Sequence, residues 1–230
     1  MPRARTSTHE TRQTAAPPTG SGCLSLYSLS LFSIILIACL ITALALNTPI
    51  PTYAAVSTQT DSNVSMQLSP IFTQEVQYWE DDILRWANAA SLDPNLVAVV
   101  MQIESCGNPF ARSSAGAMGL FQVMPYHFHS GENGYETNTN ALRGLDYLSR
   151  SLNTSRGNVR LALAGYNGGI GVITRGEWTW SAQTLRYVYY GAPIYQDARS
   201  GAASSAMLDE WYRKYGAGLC RQASQKLGIN

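Results

Sequence analysis

The sequence predicts one mainly helical domain behind an N-terminal apolar leader and a flexible linker. Three observations support this fold class. Apolar residues after Pro70 recur at helical spacing, residues typical of helix starts and stops separate these stretches, and few runs alternate as a β-strand requires. A length of 230 residues fits one domain plus a leader. We assign residues 1–55 to the leader, 56–69 to the linker and 70–230 to the domain.

The leader has the pattern of a secretory signal peptide or an N-terminal membrane anchor. Three arginines, at positions 3, 5 and 12, precede the stretch Leu24 to Leu46, which contains no charged residue. The stretch exceeds the ~20 residues that span a bilayer. Positive charge on its N-terminal side predicts that the following chain lies outside the cytoplasm.

Three fates of this leader remain open from the sequence. Thr52-Tyr53-Ala54 offers small residues for cleavage before Ala55, whereas the length of the apolar stretch favours a retained anchor. Leu36-Ile37-Ala38-Cys39 is similar to a lipoprotein signal, but more apolar sequence follows its cysteine.

The remaining chain is predicted in order as a linker and a series of helices. Val56 to Ser69 is rich in Ser, Thr, Gln and Asn and offers little to bury, which indicates a flexible linker. The predicted helices are Ile71–Ala90, one that starts at Asp93-Pro94 and stops at Gly107, Asn140–Leu152, Asn158–Tyr166, Ser181–Tyr190, and Ala206–Gln225 with an interruption near Gly216 and Gly218.

The composition argues against several function classes. The net charge is +1, without the clustered basic residues that a nucleic-acid-binding face requires. His127 and His129 stand two residues apart, and no Cys or Asp pattern completes a zinc site around them. We therefore predict no metal, no cofactor and no nucleic-acid partner. A neutral polysaccharide partner is compatible with this charge.

Glu104 is the candidate for chemistry. The segment from Leu96 to Ile103 is almost wholly apolar, so its helix should be buried on most sides, with Glu104 on the same surface as Val100 and Met101. Burial and the negative end of the helix dipole would both raise its pKa. A protonated carboxyl at neutral pH can act as a general acid. An exposed glutamate at a fraying helix end is the alternative.

Two cysteines, Cys106 and Cys220, lie in the predicted domain. In an oxidising compartment they can form a disulfide. The alternative is two separate buried thiols.

The sequence that follows Glu104 resembles a known family. Glu104-Ser105, Asn108-Pro109, Gly116-Ala117, Gly119-Leu120-Phe121-Gln122 and Met124-Pro125 resemble the catalytic segment of the soluble lytic transglycosylase (SLT domain) family. Three further stretches match later family motifs: Asn140 to Leu148, Leu161 to Asn167, and Gln183 to Val188. Phe121, Gly165 and Gln183 depart from the family's usual Met, Ala and Glu.

This resemblance implies a lysozyme-like helical fold and a role for each matching residue. Glu104 would protonate the glycosidic oxygen that leaves N-acetylmuramic acid and then act as a base. Ser105 would position the substrate or the departing group beside it. Gln122 and Asn167 would hydrogen-bond the sugar and its N-acetyl group. Tyr187 would aim Glu104, while Tyr166 would line the groove.

The implied activity is cleavage of peptidoglycan glycan strands with formation of 1,6-anhydro-N-acetylmuramic acid, in the periplasm or cell envelope. Partners would be the glycan strand, the cytoplasmic membrane if the leader is retained, and a secretion or conjugation machine if the task is local wall opening. The alternatives are a goose-type lysozyme, in which Glu132, Glu136 or Asp146 would assist, and a non-catalytic wall-binding module.

Overall fold

Helices make up most of the structure, a computed structural model that describes residues 67–229. The α-helices are α1 (Gln74–Gln77), α2 (Glu80–Ala90), α3 (Pro94–Glu104), α4 (Thr137–Thr154), α5 (Val159–Gly168), α6 (Ala182–Arg199), α7 (Ala206–Trp211) and α8 (Ala217–Leu227). Short 3₁₀ turns cover Pro125–His127, Ile170–Val172 and Glu177–Thr179, and a π-helix covers Tyr212–Gly216. Within residues 67–229, β-structure is limited to isolated bridges at Met118. The mainly helical prediction is confirmed.

The predicted leader and most of the predicted linker lie outside the described residues. Leu68 and Ser69, at the end of the predicted linker, are buried. The Ser69 amide donates a 2.9 Å hydrogen bond to Asn95 Oδ1, so the packed part of the chain starts before residue 70. In the 67–229 range, no helix is both long and apolar enough to cross a membrane.

Helix α3 is the centre of the core. Asp93 caps its start by accepting a 2.8 Å hydrogen bond from the Asn95 amide, and Pro94 occupies the first helical position. The helix is buried from Leu96 to Gln102 and packs against α1, α2 and α6, while α5 packs between α4 and α6. Such burial follows from the almost unbroken apolar sequence of this segment.

The end of α3 is fixed in place by backbone geometry and a disulfide. Gly107 has φ +81°, and a Cβ at this position would lie 2.5 Å from the Glu75 carbonyl oxygen, so only glycine fits. Cys106 and Cys220 form a disulfide with a Cα–Cα distance of 5.0 Å. This bond joins the residue two positions after Glu104 to helix α8.

Several helix bounds differ from the predicted ones. The predicted helix Ile71–Ala90 is divided into α1 and α2 by a break at Tyr78 and Trp79. Helix α6 continues nine residues beyond Tyr190, through Pro193. The predicted interruption near Gly216 is a π-helix that ends at Gly216.

Candidate active site

A cleft opens beside the C-terminal end of α3. This main cleft has a volume of about 420 Å³ and is bounded by α3, α4, α5 and the loop that connects α3 to α4. Its lining includes Glu104, Ser113, Gln122, Val123, Met124, Tyr126, His127, Gly144, Tyr147, Tyr166, Asn167 and Gln183. Four of the six catalytic or substrate-binding residues proposed from the sequence therefore meet in one cleft.

A smaller cavity adjoins Glu104 from another direction. This side cavity has a volume of about 190 Å³ and shares Glu104, Asn167 and Gln183 with the main cleft. Its other lining residues are Ile103, Arg186, Tyr187, Tyr190, Trp211 and Tyr215. Tyr187 therefore faces this cavity rather than the main cleft, and Glu104 lies where the two spaces meet.

Glu104 is in a desolvating environment. It is the last residue of α3, and it retains partial solvent exposure. Burial raises the pKa of its carboxyl from 4.5 to about 8, while an interaction with the Tyr187 hydroxyl opposes this rise. The carboxyl therefore carries a proton at neutral pH.

Two tyrosines flank this carboxyl. Burial and the proximity of Glu104 raise the pKa of both Tyr166 and Tyr187 well above 10, so both hydroxyls remain protonated. Tyr166 donates a 2.7 Å hydrogen bond to the Phe121 carbonyl. The buried Tyr187 hydroxyl makes no hydrogen bond of normal geometry within residues 67–229, although it is close enough to the Glu104 carboxyl to influence its pKa.

Two side-chain amides line the main cleft, and in each of them one of the two polar atoms is hydrogen-bonded to the protein. Gln122 has φ +46°, and its Nε2 donates to the carbonyls of Ala111 (3.2 Å) and Gly119 (3.0 Å). Asn167 Oδ1 accepts a 3.1 Å hydrogen bond from Thr184 Oγ1. Gln122 Oε1 and Asn167 Nδ2 have no hydrogen-bond partner among the described residues. The cleft thus offers one fixed acceptor and one fixed donor.

Ser105 is placed differently from the prediction. Its side chain is fully buried, and it does not line the main cleft or the side cavity. Its hydroxyl donates a 2.7 Å hydrogen bond to the Leu120 carbonyl and accepts one of 3.1 Å from the Gly107 amide. The substrate contact expected for Ser105 stays a prediction that this geometry does not favour, because the hydroxyl is already used to join the end of α3 to the cleft loop.

Glu104 is the only carboxylate that lines either space within the described residues. Glu132 forms an ion pair with Arg143, and the carboxylate of Glu136 caps α4. Asp146 pairs with Arg150 at 3.2 Å. Gln183, where the SLT family usually has glutamate, lines both spaces with a neutral amide.

An aromatic row along the main cleft was missed in the sequence. The ring centroids of Tyr126 and His127 are 4.6 Å apart, those of His127 and Tyr147 are 4.7 Å apart, and those of Tyr147 and Tyr166 are 5.8 Å apart. Tyr126 is 75% exposed. From the sequence we considered His127 only as a metal ligand. The available signal was the position of Tyr126 and His127 directly after the Met-Pro motif.

Part of this chain is similar to known proteins. Residues 81–184 match the family model described as the transglycosylase SLT domain. This match covers just under half of the chain, and residues 81–184 are therefore similar to the transglycosylase SLT family. The SLT match includes Glu104, Gln122, Tyr166 and Asn167, and it ends before Tyr187.

Two individual proteins that are similar to this chain are also named as transglycosylases. A transglycosylase of Enterobacteria phage PRD1 is 39% identical over 115 residues, which cover 49% of this chain and 40% of the phage protein. The membrane-bound lytic murein transglycosylase E of Buchnera aphidicola is 40% identical over 47 residues, 20% of this chain and 21% of that protein. The chain spans less than half the length of both curated relatives.

One solved structure is also similar. An inactive mutant of the lytic transglycosylase Slt from Pseudomonas aeruginosa aligns over 64% of this chain and 24% of its own, with a TM-score of 0.38 and 21% identity.

Proposed function

We propose that this chain is a peptidoglycan lytic transglycosylase that cleaves the β-1,4 bond between N-acetylmuramic acid and N-acetylglucosamine. The observation that carries the proposal is Glu104, a carboxyl with a pKa raised to about 8 at the meeting point of two spaces that contain no other carboxylate in the described part of the chain. The match of residues 81–184 to the SLT domain model supports the same activity.

The chemistry requires only this one acid. Protonated Glu104 transfers its proton to the glycosidic oxygen as the bond from C1 of N-acetylmuramic acid breaks. The C6 hydroxyl oxygen of the same sugar then bonds to C1, and its proton passes to the Glu104 carboxylate. Water is not consumed, and the enzyme returns to its starting protonation state. An intramolecular nucleophile gains the high effective molarity of a tethered reactant.

The two fixed amides provide complementary contacts for an N-acetyl sugar. The free oxygen of Gln122 can accept the acetamido N–H, and the free Nδ2 of Asn167 can donate to a sugar oxygen. The exposed ring of Tyr126 and the neighbouring aromatic row offer apolar faces for a sugar ring. Each of these roles is part of the proposal.

The lack of a second carboxylate favours this activity over a goose-type lysozyme. Ordinary glycosidases place a second carboxyl about 5 to 9.5 Å from the acid. Glu132, Glu136 and Asp146 line neither space, and each is engaged in other contacts. A non-catalytic wall-binding module is disfavoured, because a binding role gives no reason to bury a carboxyl with a raised pKa.

The products formed from purified peptidoglycan test the proposal. We expect the wild-type protein to release muropeptides that are one water lighter than hydrolysed ones and that resist borohydride reduction, since 1,6-anhydro ends have no reducing terminus. The E104Q variant should release none, because general-acid help alone contributes about 10²- to 10⁴-fold. Reducible termini as the main product would replace this assignment with a lysozyme.

We further propose that the protein works outside the cytoplasmic membrane, in the periplasm or cell envelope. The charged and apolar pattern of residues 1–55 and the Cys106–Cys220 disulfide support an exported protein. Attachment to the membrane through a retained leader, and action with a secretion or conjugation machine, are finer hypotheses that fractionation and co-purification of the full chain would test.

A further inference from the structure

A short chain of hydrogen bonds runs from the start of α6 to the Asn167 side chain. Ser181 caps α6, since its side-chain oxygen accepts a 3.1 Å hydrogen bond from the Thr184 amide. The hydroxyl oxygens of Ser181 and Thr184 are 2.9 Å apart, and Thr184 Oγ1 lies 3.1 Å from Asn167 Oδ1. Because a carbonyl oxygen only accepts, the Thr184 hydroxyl donates to Asn167, and the Ser181 hydroxyl then donates to Thr184. The chain of bonds therefore points toward the main cleft.

The direction of these bonds sets which atom of the Asn167 amide is available to a ligand. With Oδ1 turned to Thr184, the Nδ2 group is left for the main cleft, which Asn167 lines. In the opposite orientation Nδ2 would donate to Thr184, and the Thr184 hydroxyl would donate to Ser181. The Ser181 proton would then have no acceptor within residues 67–229. The observed orientation uses every proton of the chain and gives the cleft a donor.

Thr184 itself lies behind Asn167, out of reach of a ligand. Its side chain is 1% exposed, and it lines neither the main cleft nor the side cavity. Gly168 provides the space for this close approach, because a Cβ there would lie 2.7 Å from Thr184 Oγ1 and 3.1 Å from its Cγ2. The hydroxyl can therefore affect a ligand only through the Asn167 amide.

We propose that Thr184 is a positioning residue, which holds the Asn167 amide with its N–H groups toward the substrate. This inference rests on the proposed function, in which Asn167 donates to a sugar oxygen. An amide that rotates freely would also present its oxygen to the sugar, and ordering it on binding would cost conformational entropy. Loss of the Thr184 hydroxyl should therefore weaken substrate binding, whereas the groups that carry out the chemistry stay in place.

Steady-state kinetics of the full chain on purified peptidoglycan test the inference. Thr184→Val removes the hydroxyl but keeps the shape of the side chain and the backbone amide that bonds Ser181. It should raise KM about three- to tenfold, as expected for one oriented hydrogen bond, with kcat within about twofold of the wild type. Thr184→Ser keeps the hydroxyl and should retain the wild-type KM. Thr179→Val is the matched control, because the exposed Thr179 hydroxyl donates to the Gly176 carbonyl and lines neither space.

A double-mutant cycle separates positioning from a general structural effect. If Thr184 acts through Asn167, then Thr184→Val should leave KM unchanged when it is added to Asn167→Ala. NMR relaxation of the protein without ligand gives a second readout, with the side-chain amide signal of Asn167 identified by its absence in Asn167→Ala. The order parameter of this amide should fall from about 0.8 to below about 0.6 in Thr184→Val and stay high in Thr184→Ser.

Three results would overturn the inference. They are an unchanged KM in Thr184→Val, an equal rise of KM with and without the Asn167 side chain, and an Asn167 amide that stays as ordered in Thr184→Val as in the wild type. Reducible termini as the main product of the wild type would instead refute the proposed function. The cycle of KM values and the order parameters would still decide the role of Thr184, because neither depends on whether water or the C6 hydroxyl is the nucleophile.

Discussion

Burial of the Glu104 carboxyl should reduce the stability of the protein at alkaline pH. The folded state holds the proton of Glu104 up to a pKa of about 8, whereas an unfolded glutamate loses it near 4.5. Between these values the folded state binds more protons than the unfolded state, so the free energy of unfolding falls as pH rises. Below pH 4.5 both states are protonated and the penalty disappears. E104Q, which is neutral and of the same shape, should remove this dependence.

The magnitude follows from the two pKa values. One pKa unit corresponds to about 1.4 kcal/mol, so the change from 4.5 to about 8 is worth about 5 kcal/mol at most. Since Glu104 keeps partial solvent contact, we expect roughly half of this, about 2 to 3 kcal/mol of added stability for E104Q at pH 9. At pH 4 the variant and the wild type should agree within about 1 kcal/mol.

Urea unfolding of the full chain at a series of pH values measures this difference, with the disulfide left intact. Asp209→Asn is a suitable control, because it removes an exposed carboxylate that has no salt bridge among the described residues. The control should follow the wild-type curve. If E104Q also follows that curve between pH 4 and pH 9, the carboxyl is not desolvated and the reasoning is refuted.

Three further results are expected. The kcat of the wild type should fall as pH rises through about 8, since the general acid is then deprotonated; a rate that is flat to pH 10 would exclude Glu104 as the acid. Tyr187→Phe should move this alkaline limb to higher pH, because the hydroxyl lowers the pKa of Glu104, and pH–rate profiles of both proteins would measure the shift. The double variant Cys106→Ala/Cys220→Ala should lose up to about 4.7 kcal/mol of stability in the chain-entropy model, given a separation of 114 residues; equal urea midpoints would contradict this.

The catalytic helix could be predicted because local sequence determines it. The Asp93-Pro94 start, the apolar run and Gly107 define α3 without reference to distant residues, and the structure places its bounds at Pro94 and Glu104. The position of Glu104 on the buried surface follows from the helical period alone. The raised pKa was expected for the same reason, and the structure gives burial as its largest cause.

Features that depend on distant residues could not be predicted. Helix α6 continues through Pro193, although proline disfavours a helix interior, because Ile194, Tyr195 and Ala198 are buried beyond it. Tyr126 and Tyr147 belong to one aromatic row but come from a 3₁₀ turn region and from α4. Their proximity is set by the path of the loop between α3 and α4, which no periodic pattern specifies.

The orientation of the Ser105 side chain is also set by a residue that is distant in sequence. The family motif places it next to Glu104, but the helix has ended there, and its side chain direction is set by the Leu120 carbonyl fifteen residues away. Ser105→Ala would leave that carbonyl and the Gly107 amide without their partners, which should cost about 2 kcal/mol of stability while KM for peptidoglycan stays near the wild-type value. Ser113→Ala, at a position that lines the main cleft, is the control for a direct effect on binding. Unfolding midpoints and steady-state kinetics measured below both midpoints separate the roles. A Ser105→Ala variant that is as stable as the wild type but has a KM raised about tenfold would instead support the substrate contact expected from the motif.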